Sequence, residues 1–66
     1  MNATKIVDTL DAIVELSMAL GYPPTVRELA DVLNLSISTT YERLVALRAD
    51  SLIRWDSKKF RTLVIV

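Results

Sequence analysis

Neither cysteine nor histidine occurs anywhere in the 66-residue chain. Disulfides, thiolate nucleophiles, zinc clusters and imidazole catalysis are thereby excluded, and an intracellular compartment fits this usage. Glycine occurs once and proline twice. No Gly/Ser linker, internal repeat or low-complexity tract therefore marks off a second module. Apolar runs fall short of the ~20 residues that cross a bilayer, and the N-terminus lacks the basic-then-apolar order of a signal peptide. The expectation is one soluble domain over residues 1–66, cytoplasmic and without a membrane partner. A catalytic nucleophile would have to be Ser or Thr activated by Lys or a carboxylate. The lysines stand only at position 5 and at 58–59, the N-terminus and a turn, where desolvation is not expected. Neither catalytic residues nor a cofactor nor a metal is assigned.

Apolar residues, by contrast, make up 52% of the chain, ample material for one small core at a length where folding alone is marginal. Ile6, Leu10, Ile13, Leu16 and Leu20 recur at helical spacing, predicting a first helix from Asn2 to Leu20 that ends at Gly21. Asp8, Asp11 and Glu15 mark its wet side. Val7, Val14 and Met18 widen the apolar arc beyond what one packing contact demands. Either the C-terminal strand covers that flank or it is a dimer contact.

Pro23-Pro24 cannot continue a helix, and Thr25 followed by Glu28 is a capping box that starts the second one. Val26, Leu29 and Leu33 share a face with Ala30 beside them, small enough for close helix approach. Asn34 stands where a left-handed turn residue is required, and Ser36 is the expected N-cap of a third helix, with Leu35 plugging the core between the two. On that third helix Thr40, Leu44 and Leu47 face inward, which turns Ser38, Glu42, Val45 and Ala49 outward and leaves Thr39 and Tyr41 on the flanks. Two short helices joined by a three-residue turn form a helix-turn-helix, and a small, polar outer face near the N-terminus suits entry into a DNA major groove. A merely solvated helix face has the same composition.

Leu52–Trp55 and Phe60–Val66 read as strands joined by Asp56-Ser57-Lys58-Lys59, with Trp55 and Phe60 paired across the arms. The whole is mainly α with a small β part: a three-helix winged helix-turn-helix with a two-stranded C-terminal wing. Net charge is zero, but it is unevenly spread. Through residue 35, Lys5 and Arg27 stand against Asp8, Asp11, Glu15, Glu28 and Asp31, a net −3. Beyond it, Arg43, Arg48, Arg54, Lys58, Lys59 and Arg61 stand against Glu42, Asp50 and Asp56, a net +3. That dipole would turn the third helix and wing toward phosphate.

With these residues in place, Gly21-Tyr22-Pro23-Pro24-Thr25-Val26-Arg27-Glu28-Leu29-Ala30, then Leu44, Ala46-Leu47 and Leu52-Ile53, closely resemble the N-terminal DNA-binding domain family of the bacterial repressor LexA. The resemblance implies a three-helix bundle with a two-stranded wing that reads operator DNA, and carries the base-facing places to Ser38, Thr39, Tyr41 and Glu42. Three departures stand out: a turn one residue shorter, Asp50-Ser51 in place of the usual Lys-Gly before the wing, and a shorter wing. They argue against the LexA operator as its site. The chain stops at Val66, where LexA continues into a self-cleaving peptidase domain, so the expectation is a free-standing regulator of a bacterium, its phage or a plasmid.

The expected function is sequence-specific binding of double-stranded DNA as a transcriptional repressor. Ser36, Ser38, Thr39, Tyr41, Glu42 and Arg43 form the recognition helix set, and Arg27, Lys58, Lys59 and Arg61 the phosphate or wing set. A homodimer, at least on DNA, would join through Val7, Val14 and Met18 or through the exposed edge of the Leu63–Val66 strand, the helix flank being favoured because so short a strand gives few hydrogen bonds; release would come from a regulatory protein partner. The rival readings are a winged-helix protein-interaction module, favoured by zero net charge and Glu42 on the reading face, and an architectural factor of a phage or plasmid.

Overall fold

The computed structural model describes residues 2–66; Met1, counted in the domain 1–66, lies outside the described residues. Three helices, α1 (Ala3–Leu20), α2 (Val26–Leu33) and α3 (Ile37–Ala49), precede two strands, β1 (Ile53–Arg54) and β2 (Val64–Ile65). The strands pair antiparallel, Ile53 opposite Ile65 and Arg54 opposite Val64. This is a winged helix-turn-helix.

Each helix starts where a side-chain oxygen satisfies an orphan amide. Asn2 Oδ1 accepts the Lys5 amide at 2.9 Å, and Ser36 Oγ accepts the Thr39 amide at 3.1 Å. At Thr25 the capping box is complete: the Glu28 amide donates to Thr25 Oγ1 at 3.1 Å and the Thr25 amide to Glu28 Oε1 at 2.8 Å.

Helices α1 and α2 also end on a left-handed residue, and α3 is followed by one after Asp50. Gly21 closes α1 at φ 79°; a Cβ added there would touch nothing within 4 Å, so backbone conformation alone calls for glycine. Asn34, at φ 57°, closes α2 with paired bonds from Asn34 N–H to Asp31 C=O and from Leu35 N–H to Ala30 C=O. The same pair recurs after α3, from Ser51 N–H to Arg48 C=O and from Leu52 N–H to Leu47 C=O, with Ser51 at φ 61°. The turn survives without glycine, but serine bears the strain of the left-handed conformation.

Between the elements lies one core of Ala12, Ile13, Leu29, Leu44, Leu47, Ile53, Trp55 and Leu63, with Ile6, Leu10, Val26, Leu33 and Leu52 packed at its margin. Leu35, expected to plug it, is half-buried and outside this cluster. Its amide is bound back to Ala30, and Leu52 and Leu33 fill the margin instead. Two threonines are also fully buried, Thr9 on α1 and Thr40 on α3. Each donates to a carbonyl one turn back, Lys5 at 2.7 Å and Ser36 at 2.9 Å, so neither hydroxyl is left unpaired.

Both strands are shorter than their β-branched composition suggests. The chain is turned out of the ladder by hydrogen bonds between Asp56 and Thr62: Asp56 N–H donates to Thr62 Oγ1, and that hydroxyl returns to Asp56 C=O, both at 3.0 Å. Arg61 adopts a left-handed conformation at φ 55°. Phe60 therefore sits in the wing loop, 89% exposed, and does not pair with Trp55. Trp55 is 8% exposed and meets Tyr41 edge-to-face, with ring centroids 4.9 Å apart.

Ser51→Gly relieves the strained turn, and is expected to raise unfolding free energy by about 0.5–1 kcal/mol after glycine's greater unfolded-state freedom is set against the relief. Denaturant titration measures it; an unchanged or lower midpoint would mean that Ser51 is not strained.

Candidate nucleic-acid interface

The inward anchoring of Thr40, Leu44 and Leu47 leaves Ser38, Thr39, Glu42 and Val45 exposed along the outer side of α3. At its first turn Ser36 and Thr39 are bound to each other, Ser36 Oγ donating to Thr39 Oγ1 at 3.0 Å. Tyr41 is half-exposed and held by its edge contact with Trp55, which fixes its ring at the junction of α3 and wing. Arg43 differs from the rest of the helix set: its guanidinium turns toward α1 and donates to Thr9 Oγ1 at 3.3 Å. It bridges α3 to α1, a contact that its place in the recognition-helix set does not anticipate.

Two arginines hold the wing in position. Arg48, in the last turn of α3, donates to the Trp55 carbonyl at 3.2 Å and lies over the indole with its Cζ 5.0 Å from the ring centroid. Arg61, on the returning arm, donates through Nη1 to Glu28 Oε1 at 3.0 Å and to the Pro23 carbonyl at 3.1 Å. Its guanidinium also stacks 4.5 Å from the centroid of Tyr22. Arg61 thus clamps the wing to the start of α2, where the sequence suggests a free cation. Lys58, Lys59 and Arg27 remain exposed.

The loop between the clamps has its own scaffold. Asp56 Oδ1 accepts the Lys58 amide and Asp56 C=O the Lys59 amide, each at 3.0 Å. A cleft of about 430 Å³ separates this loop from the first turns of α2 and α3, and Arg27, Ile37, Lys58, Lys59, Phe60 and Arg61 are among its walls. The two clamps tie the wing to α3 and α2, and the groove runs between its basic loop and the first turns of those helices. Among the described residues there is no group of three or more His, Cys, Asp or Glu placed to hold a metal, and no helix is long and apolar enough to cross a membrane.

The order of these elements and the capped second helix can be set beside known families. A family model described as LexA DNA binding domain matches residues 4–62. The chain belongs to the LexA DNA-binding domain family. No curated protein matches it. The family is a DNA-binding module rather than a catalytic one, and the match runs from α1 to the returning arm of the wing, so helices, turn and wing loop all belong to the LexA-type unit.

Val7, Val14 and Met18 stand apart from this interface. Val14 is 43% and Met18 79% exposed. The C-terminal strand does not cover them: Val64 and Ile65 lie across a shallow groove shared with Val14 and Met18, and are themselves exposed. Sequence reading missed the Arg48 and Arg61 clamps. Nothing local signals that Glu28, a capping residue by spacing, also takes a partner 33 positions away.

The Glu28 carboxyl lies below its ordinary range because the Thr25 amide donates to it, with Arg61 acting in the same direction and partial desolvation opposing both. A depressed carboxyl pKa stabilises the fold above its unfolded value, and that contribution is lost as pH falls through the folded value. The stability difference between wild type and Glu28→Gln should therefore be present near neutrality and close on acidification below about pH 4. Thermal denaturation across acid pH measures it; a gap that persists at the acid end would assign the effect to shape rather than charge.

Proposed function

We propose that this LexA-type domain is a sequence-specific double-stranded-DNA-binding regulator, acting as a repressor and not as an enzyme, and associated with the nucleoid in the cytoplasm. One observation carries the reading: Arg48 and Arg61 tie the wing to α3 and α2, so that the Lys58-Lys59 loop stands across a cleft from the first turns of α2 and α3. A helix seated in a major groove would leave that cleft over the sugar–phosphate strand, with the wing beyond it. In this reading Ser38, Thr39, Tyr41 and Glu42 face bases, Ser36 lies at the helix start, and Arg27, Lys58 and Lys59 meet phosphates. Arg61 and Arg43 act by holding the elements that do so.

Three phosphate contacts per protomer correspond to a slope of log K against log salt of about −3. Fluorescence titration of a labelled duplex at several salt concentrations reads the slope directly. Binding that is indifferent to salt would remove the electrostatic basis of the proposal.

One recognition helix reads only a few base pairs, so a genomic site calls for two copies on half-sites about 34 Å apart, or a multiple of it. The Val7, Val14 and Met18 flank, of which Val14 and Met18 share a groove with Val64 and Ile65 of β2, is the surface we assign to that contact. Val14→Glu should abolish cooperative binding while leaving the circular dichroism spectrum unchanged, since Val14 is outside the core. Cooperativity retained in a folded variant would move the dimer contact elsewhere.

A further inference from the structure

The cleft between the wing loop and the first turns of α2 and α3 holds about 430 Å³, the size of a small-molecule site. Its walls divide by chemistry. Val26, Ile37 and Phe60 supply apolar surface, and with Ile37 45% and Phe60 89% exposed the protein itself leaves that surface uncovered. Arg27, Lys58 and Lys59 supply charge, and no acidic side chain is among the walls. The carboxylates that brace the cleft are engaged elsewhere: Asp56 accepts the Lys58 amide within the loop, and Glu28 accepts the Thr25 amide and the Arg61 guanidinium. Three cations are thus left without an acidic partner among the described residues. The loop is already fixed by its own hydrogen bonds and the Arg61 clamp, so little order has to be gained when something enters.

A bare anion would meet the cations and leave the apolar walls in water, and a neutral apolar molecule would do the reverse. We propose that the cleft is a binding site for a small organic anion with a flat apolar body, an aryl carboxylate in chemical class, and that its occupation excludes DNA. The carboxylate lies among Arg27, Lys58 and Lys59, and the apolar body rests on Ile37, Val26 and Phe60. The site itself stands apart from the DNA-binding reading; the exclusion rests on it, because there the same three cations meet phosphates. One set of cations cannot serve both, so a filled cleft releases the duplex, and the domain answers to a small molecule as well as to a sequence.

The test titrates the protein without DNA, by amide NMR shifts, with naphthoate, with its uncharged counterpart naphthamide and with inorganic phosphate. Naphthoate should bind saturably, with a dissociation constant on the order of a millimolar or below, and shift the amides of Val26, Arg27, Ile37 and Phe60. Naphthamide, which lacks the charge, and phosphate, which lacks the apolar body, should each bind about tenfold more weakly. Phe60→Ala and Lys59→Ala should each weaken naphthoate about three- to tenfold. At constant ionic strength, naphthoate at about ten times its dissociation constant should then weaken binding of a labelled duplex about tenfold. Shifts that do not saturate, that centre on Val14, Met18 and Ile65, or that naphthamide or phosphate reproduces at equal concentration overturn the site. Saturable binding at the cleft with undiminished duplex affinity overturns the exclusion and leaves the DNA reading intact. Failure of the protein on every duplex removes the DNA reading and the exclusion with it, while the DNA-free titration still decides the site.

Discussion

One carboxylate holds the working parts of this domain together. Glu28 Oε1 accepts the Thr25 amide at 2.8 Å and the Arg61 guanidinium at 3.0 Å, so a single atom starts α2 and fixes the returning arm of the wing. The constraint matters because the sheet is too small to orient itself. Two facing residue pairs form the whole ladder, and an isolated hairpin of that size is not stable in water. An exposed ion pair adds little free energy. Its effect here is geometric, since the same guanidinium also meets the Pro23 carbonyl and the Tyr22 ring, and three contacts from one planar group leave it few alternative placements.

A zero net charge is no obstacle to a polyanionic partner when the charges are segregated. The acidic residues Asp8, Asp11 and Glu15 all lie on α1, while Lys58 and Lys59 sit on the wing loop. Three of the basic residues in the C-terminal half, Arg43, Arg48 and Arg61, are occupied within the fold. Fewer cations are free to meet phosphate than composition suggests, and they are concentrated at the wing and the start of α2. Such an arrangement favours a well-oriented approach over general adhesion to nucleic acid.

The helices were legible because their signals are local. The Thr25–Glu28 spacing, the Asn34 turn and the Ser36 cap each act within four residues, and the inward set of Thr40, Leu44 and Leu47 follows from periodicity alone. The wing was legible in kind but not in detail. β-branched residues through Phe60–Val66 suggest a long strand, yet the Asp56–Thr62 hydrogen bonds divert half of it into a loop. The same bonds overturn the Trp55–Phe60 pair, and place Trp55 against Tyr41 and Arg48. The partners of Arg43 and Arg61 were not legible for a common reason. A long cationic side chain looks the same in sequence whether it extends into solvent or folds back onto a partner on another element, and only the tertiary fold supplies Thr9 and Glu28.

On α3 the two faces have separate duties. Thr40 closes its hydrogen bond on its own helix, and Leu44 and Leu47 fill the core, whereas Ser38 and Glu42 have no side-chain partner among the described residues. Changes at those outer positions carry little folding penalty, because surface substitutions away from caps and networks typically alter stability by less than about 0.5 kcal/mol. If Ser38 and Glu42 face bases as proposed, the domain can diverge in what it reads while keeping how it folds: a lineage of such chains is then free to drift from one recognition sequence to another through folded intermediates.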